Sequence, residues 1–217
     1  SLTNGGFQLE EDAFRKAHRQ AAMDHLAECQ KDGRETHNRF WISAALADQG
    51  HQVSPDDWKV AAAVDRYFSA FLEYCHLIPD TASMLETLKK EYLLGLLTNF
   101  THGPAARNIL DHLGITPFFS IILISGELGY RKPHPYVFLK LIEEFGVETS
   151  RILYVGDDPE PDIKGARGVG LQPVWTTYVM DHQIPYARGI LTGAPESPDP
   201  SVPRISAWQD LLALLNG

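Results

Sequence analysis

Residues 151–162 read Arg151-Ile152-Leu153-Tyr154-Val155-Gly156-Asp157-Asp158-Pro159-Glu160-Pro161-Asp162. The run 152–155 is short, apolar and rich in β-formers, which predicts a buried strand. Gly156 ends it, and Pro159 and Pro161 suit the opening of a helix, where a missing N–H costs little. Four carboxylates, Asp157, Asp158, Glu160 and Asp162, therefore follow the carboxyl end of a strand within six residues. In open α/β sheets that edge is where ligands bind. Two like charges about 4 Å apart repel by about 1 kcal/mol in water and by about 4 kcal/mol at an effective dielectric of about 20. Acids crowded on a tight turn thus call for a cation, and hard oxygen donors on a β–α loop suit Mg²⁺. The competing reading is a plain helix start, with Asp158 as N-cap and acids in the first turn. It accounts for one or two of the four acids and leaves the set unexplained, which favours the metal.

The texture around this stretch is repetitive. Apolar, non-alternating runs at 92–97, 120–124, 152–155 and 172–176 predict strands. They are separated by helical patterns at 80–90, 104–113, 135–145 and a helix ending near 167. Such an order predicts an α/β fold, a doubly wound parallel sheet covered by helices on both faces. A closing strand at 204–206 and a helix at 207–215 follow. The intervening stretch 178–203 carries Pro185, Pro195, Pro198, Pro200 and Pro203 without periodicity and reads as a surface loop.

Upstream of Pro79 the pattern changes, and residues 7–78 read as helices. Phe14, Ala17 and Ala21, with Met23 or Leu26, form one stripe that Gly33 ends. A second helix runs over 35–48. Ser54-Pro55-Asp56-Asp57 predicts an N-terminus with Ser54 as cap and Pro55 at the first helical position. Val60, Val64, Tyr67, Phe71 and Tyr74 then recur at helical spacing, which predicts one buried face of a long helix.

The totals exclude several classes. A hydrophobic fraction of 44% with 22% charged residues is that of an ordinary globular protein. The formal net charge of −9 disfavours nucleic acid, whose binding rests on Lys and Arg neutralising phosphates. No apolar run reaches membrane-spanning length. Cys29 and Cys75 lack metal-type spacing and read as reduced, buried thiols, hence a cytoplasmic location. Nine histidines are scattered without metal-ligand pairing.

Two further strand ends carry chemistry. Leu97-Thr98-Asn99 sets a hydroxyl and an amide just past a buried strand, where Thr98 and backbone N–H groups can hold a phosphate oxygen. Gly129-Tyr130-Arg131-Lys132-Pro133-His134-Pro135 sets Lys132 in a loop stiffened by two prolines. Taken singly, an ordinary turn and a solvated lysine explain these. A strand-end hydroxyl, then a lysine, then an acidic turn is not what three unrelated turns would give.

That order resembles the haloacid dehalogenase superfamily. Leu96-Leu97-Thr98-Asn99 is similar to its second motif, Lys132-Pro133-His134-Pro135 to its third, and Gly156-Asp157-Asp158 with Asp162 to its fourth. The resemblance implies a Rossmann-like core, formed by residues 1–6 and 79–217, with an inserted α-helical cap at residues 7–78. It implies a Mg²⁺-dependent phosphohydrolase acting on a small phosphorylated metabolite through an aspartyl-phosphate. Thr98, Asn99 and Lys132 would bind the phosphoryl group, and Lys132 would offset its charge. Asp157 would hold the metal, with Asp158 a direct or water-mediated neighbour, and Asp162 would position Lys132 or the metal's waters. The family's first motif, Asp-x-Asp-x-Thr/Ser-Leu, supplies nucleophile and general acid; here Ser1-Leu2 is similar only to its end. The resemblance therefore implies an Asp nucleophile and a first core strand upstream of Ser1, the strand lying between those at 92–97 and 152–155, and the expectation is that these residues are part of a longer gene product. Three alternatives stay open: a 2-haloacid dehalogenase, which needs no metal and lacks the Gly-Asp-Asp turn; a phosphomutase; and a non-catalytic protein that keeps the pocket without a nucleophile. Arg15, Lys16, Arg19, Arg34 and Arg39 either meet an anionic substrate or solvate helix faces.

Overall fold

The structure, a computed structural model, describes residue 2, residues 6–184 and residues 197–216. It opens with α1 (Glu11–Asp32), where the Glu10 carboxylate accepts the N–H groups of Asp12 and Ala13. Gly33 stops it with a φ of 70°, a left-handed cap that costs glycine nothing. α2 (Asn38–Asp48) starts later than its pattern predicts because His37 Nδ1 caps it, accepting from Arg39 N. α3 (Trp58–Ser69) is capped by Asp57. The predicted Ser54 cap does not form; Ser54 Oγ and O accept from Asp56 N and Asp57 N in a separate turn. The long aromatic stripe is also corrected. α3 ends at Ser69, so helical spacing fails beyond it. Val60, Val64 and Phe68 are buried, whereas Tyr67 and Phe71 are partly open and Tyr74 is 79% exposed. Ile42 and Leu46 of α2 pack on Val60 and Val64 of α3, and Ala21 and Ala22 of α1 pack on Trp41.

Beyond Pro79 helices and strands alternate as the sequence predicts. α4 (Thr81–Leu88) buries Met84, Leu85 and Leu88. β1 (Gly95–Thr98) begins later than the apolar run suggests; Tyr92 still caps the α4 turn through Leu88 O, and Tyr92 and Leu93 are exposed. α5 (Gly103–His112) leads to β2 (Ile121–Ile124), α6 (Ser125–Leu128) and α7 (Pro135–Phe145). β3 (Leu153–Gly156) runs into a π-helical turn, Pro159–Lys164, which continues as α8 (Gly165–Gly168). β4 (Gln172–Thr176), α9 (Tyr178–Asp181), β5 (Arg204–Ile205) and α10 (Trp208–Asn216) complete the chain. The predicted 178–203 loop thus opens with one helical turn; its residues 185–196, with Pro185 and Pro195, lie outside the described residues, as does Ser1.

All strand pairs are parallel, but among the described residues they form two ladders instead of one sheet. β1 pairs with β2, Gly95 against Ile121 through Thr98 against Ile124, and β3, β4 and β5 pair in that order. β1 and β3 do not bond each other, which leaves a facing edge on each, at the place where the resemblance sets another strand. Side chains join the two ladders. Leu97 of β1 shares a core cluster with Ile152 and Tyr154, under Val137, Phe138 and Leu141 of α7 and Ala166 of α8. On the other face Met84, Leu85, Leu88, Leu110 and Leu211 cover Val174 and Ile205. Burial of each such large side chain contributes roughly 1.5–3 kcal/mol.

Cys29 is buried and Cys75 only half-buried, both as free thiols. Among the described residues no helix is long and apolar enough to cross a membrane.

Candidate active site

Parallel strands bring their carboxyl ends to one rim. Thr98 ends β1 and Asp157 follows β3 directly, while Lys132 comes from the loop between α6 and α7. A cleft of about 820 Å³ is lined by Thr98, Asn99, Lys132, Asp157, Asp158 and Asp162, so the three strand-end motifs meet there. Its opposite wall is the last turn of α1, including Cys29, Gln30 and Gly33.

Lys132 is held from several sides. Its Nζ donates to Asp162 Oδ1 at 2.6 Å, to Tyr154 Oη at 3.3 Å and to the Leu97 carbonyl at 3.4 Å. Its backbone is clamped by one side chain, since Asn99 Oδ1 accepts from Lys132 N at 2.8 Å and Asn99 Nδ2 donates to Lys132 O at 3.1 Å. Asn99, grouped in the sequence with the phosphate binders, spends both amide atoms on this loop. Burial pulls the Lys132 pKa down, but the Asp162 carboxylate and Tyr154 outweigh it and hold the ammonium above its usual range. The side chain is therefore a fixed cation. Thr98 is half-buried on the same wall, and its hydroxyl bonds no protein group among the described residues.

Asp162 is the hub. Its side chain is 5% exposed, Oδ1 also accepts from Tyr154 Oη at 3.0 Å, and Oδ2 accepts from Asp158 N at 3.1 Å. The π-helical turn delivers it there: Asp158 O accepts from both Asp162 N and Ile163 N, at 3.0 and 3.3 Å. Gly156 makes room, since a Cβ on it would stand 2.4 Å from the Asp162 Cβ. Burial first, then Asp162 as a like charge, pushes the Tyr154 hydroxyl above its usual range only after a contrary pull from Lys132, so Tyr154 stays a neutral donor.

Asp157 and Asp158 are the acids left over. No side chain donates to either carboxylate among the described residues. Asp157 opens to the cleft, yet the turn desolvates it; that effect first, and the Asp162 charge second, push its carboxyl up. Asp158 is raised for the same two reasons. Trp175 Nε1 fixes the turn from below by donating to Asp157 O at 3.0 Å. The cleft is lined by the cations Lys31, Arg131 and Lys132 against the acids Asp32, Asp157, Asp158, Glu160 and Asp162, an excess of two negative charges. An excess of negative charge of this kind favours a cation beside any anionic ligand. Among the described residues no group of three or more His, Cys, Asp or Glu side chains is placed to hold a metal. The donor set is two carboxylates, which fits Mg²⁺, an ion that keeps most of its waters and takes one or two carboxylates with substrate phosphate.

Residues 5–170 match the family model of the haloacid dehalogenase-like hydrolases. The chain belongs to that family. Within it, the chain is 34% identical over 141 residues to the ribulose-1,5-bisphosphate 5-phosphatase of Halopiger xanaduensis, covering 64% of this chain and 58% of that one. It is 36% identical over 120 residues to the glyceraldehyde 3-phosphate phosphatase of Pyrococcus furiosus, covering 55% and 50%. The chain thus spans about half the length of the curated relatives it matches. The haloacid dehalogenase-like fold is shared with the magnesium-bound hydrolase YfnB of Bacillus subtilis at a TM-score of 0.65 and 20% identity, over 100% of this chain and 87% of that one.

The sequence did not single out Tyr154 or Arg131. Tyr154 looked like one more apolar strand residue; only its hydroxyl, in a run otherwise without polar atoms, marked it. Arg131 was in view beside Lys132. Of the helical-region cations, Arg15, Arg34 and Arg39 pair with Glu11, Asp32 and Asp56, and neither these three nor Lys16 and Arg19 line the cleft.

Proposed function

We propose that this protein hydrolyses a small phosphate monoester with Mg²⁺ in the cleft between Thr98, Lys132 and Asp157. The observation that carries the reading is that a hydroxyl, a clamped ammonium and two carboxylates, the hydroxyl and carboxylates without side-chain partners among the described residues, share one strand-end cleft. Asp157 and Asp158 would hold the metal, which when bound supplies positive charge to the phosphoryl oxygens. Thr98 Oγ1 donates to one phosphoryl oxygen. Lys132, held by Asp162, Tyr154 and Asn99, offsets the charge on the transferring group without having to reorganise. Asn99 keeps the Lys132 loop in register with the end of β1. The wall made by α1 narrows the cleft to the size of a metabolite, and residues 7–78 serve as its cap over a core formed by the remainder.

In the proposed reaction a carboxylate attacks phosphorus while a carboxylic acid protonates the leaving oxygen, and the carboxylate so formed then takes a proton from the water that cleaves the aspartyl-phosphate, releasing inorganic phosphate. The family resemblance puts both on a strand that the facing edges of β1 and β3 accommodate. Two free cysteines suit a reducing compartment, the cytoplasm.

The test is phosphate release from p-nitrophenyl phosphate, with and without EDTA, by this chain and by the natural protein with any residues upstream of Ser1. EDTA-sensitive release supports the reading. Release that ignores EDTA argues for chemistry without metal, as in dehalogenases, and a bound phosphate with no release from either protein argues for a binding role.

A further inference from the structure

Arg131 stands next to Lys132 on the cleft wall but is held by a different partner. Its Nη1 donates to Glu35 Oε1 at 3.1 Å, and the Glu35 side chain is 2% exposed. That carboxylate is fully committed: Oε1 also accepts from Thr36 N at 2.9 Å, and Oε2 accepts from Ser125 Oγ. Ser125 Oγ in turn accepts from Phe100 N at 2.8 Å, two residues past Thr98. The backbone is fixed as well. Glu35 N donates to Gly129 O and Arg131 N to Gly33 O, both at 2.9 Å, around an antiparallel bridge between Arg34 and Tyr130. Gly33 has to be glycine here, because a Cβ would stand 2.6 Å from the His134 ring.

A guanidinium offers five N–H donors. The described hydrogen bonds place one of them on Glu35, and no Arg131 nitrogen is among the buried atoms left without a partner. The rest of the fork lies against the Cys29 thiol and the cleft, on a side chain that is 24% exposed. A fork fixed from behind and open in front matches the two oxygens of a carboxylate. Glu35 already cancels much of the charge, so a singly charged group suits the place better than a second phosphate.

We propose that Arg131 is a specificity-determining residue that binds a carboxylate on the substrate, separate from the transferred phosphate, with Glu35 as its positioning residue. This rests on the phosphohydrolase reading above. The measurement is calorimetric titration of the full chain, in Mg²⁺, with phosphonoacetate and with ethylphosphonate, which differ by a carboxylate for a methyl group and resist hydrolysis. Phosphonoacetate should bind about tenfold more tightly, the effect of a charge-assisted hydrogen bond. In Arg131→Gln that ratio should fall to about one. Arg131→Lys, which keeps a cation against Glu35 and so guards against misfolding, should reduce it as well. A wild-type ratio near one, or one that survives both substitutions, overturns the role of Arg131 alone. If wild-type protein binds neither these ligands nor inorganic phosphate, the phosphohydrolase reading itself fails, and the Arg131 assignment with it.

Discussion

Lys132 Nζ and Asp162 Oδ1 stand 2.6 Å apart, although 30 residues separate them in the chain, and both side chains are nearly buried. Removing one partner of such a pair strands the other charge away from water, which costs about 3–5 kcal/mol. Asp162→Ala should therefore destabilise by that order in urea unfolding, and weaken inorganic phosphate binding. The double variant Asp162→Ala with Lys132→Met should recover part of the stability and none of the phosphate binding. Recovery of both would remove Lys132 from the phosphate site. The raised pKa of Lys132 gives the sign of its pH dependence: its stabilising charge is complete below the unfolded lysine range and is lost only as pH climbs through the higher folded value.

Gly156→Ala tests the same pair through the backbone. The added methyl would overlap Asp162 at 2.4 Å, so either β3 or the acidic turn has to shift. Overpacking of this kind costs about 1–3 kcal/mol. Thermal unfolding should show the loss, and phosphate affinity should fall with it; an unchanged affinity would mean that Asp162 tolerates displacement.

Asp157→Asn keeps the shape of the turn and removes one charge. It should lower Mg²⁺ affinity about tenfold, equivalent to about 1.4 kcal/mol, with an unchanged far-ultraviolet circular dichroism spectrum. Titration calorimetry with Mg²⁺ alone reads this directly, and equal affinity in the two proteins would take Asp157 out of the metal site.

His37 gives a pH effect far from the chemistry. Its Nδ1 caps α2 and must be unprotonated to accept from Arg39 N. Burial first, then the facing His102 ring and Arg39, pulls its pKa down from 6.5 to about 4. A depressed folded value means that the unfolded chain takes up the proton first. Stability from this group is complete above about pH 6.5, declines as pH falls, and is spent below about pH 4. His37→Asn caps without titrating, so the slope of stability against pH across that window should be shallower than in wild type, read from urea midpoints at successive pH values.

Much of this could be read from the letters because the signals were local. Pro135 to Phe145 and Gln172 to Thr176 fall where periodicity put them, since each is bounded by a proline, a glycine or a change of polarity. The strand-end motifs were legible for the same reason. What failed was decided by partners distant in sequence. Glu35 looked like the start of a helix, but Ser125 and Arg131 claim its carboxylate, and α2 starts three residues later at Asn38, capped by His37. Tyr74 kept helical spacing with Val60 but lies past the end of α3. The clamp of Asn99 on the Lys132 backbone is likewise set by the folded loop, across 33 residues of sequence.

The π-helical turn at Pro159–Lys164 makes the position of Asp162 a matter of counting. It takes one more residue per turn than an α-helix would. Each residue of an α-helix rotates the chain by about 100°, so a deletion between Pro159 and Pro161 that left the winding as it is would swing the carboxylate away from the ammonium it now meets. A change of length at this spot therefore has to be matched by a change of winding, whereas substitution of the exposed Glu160 leaves the count intact. In sequences of this kind an alignment gap there would mark a turn wound differently about the same carboxylate.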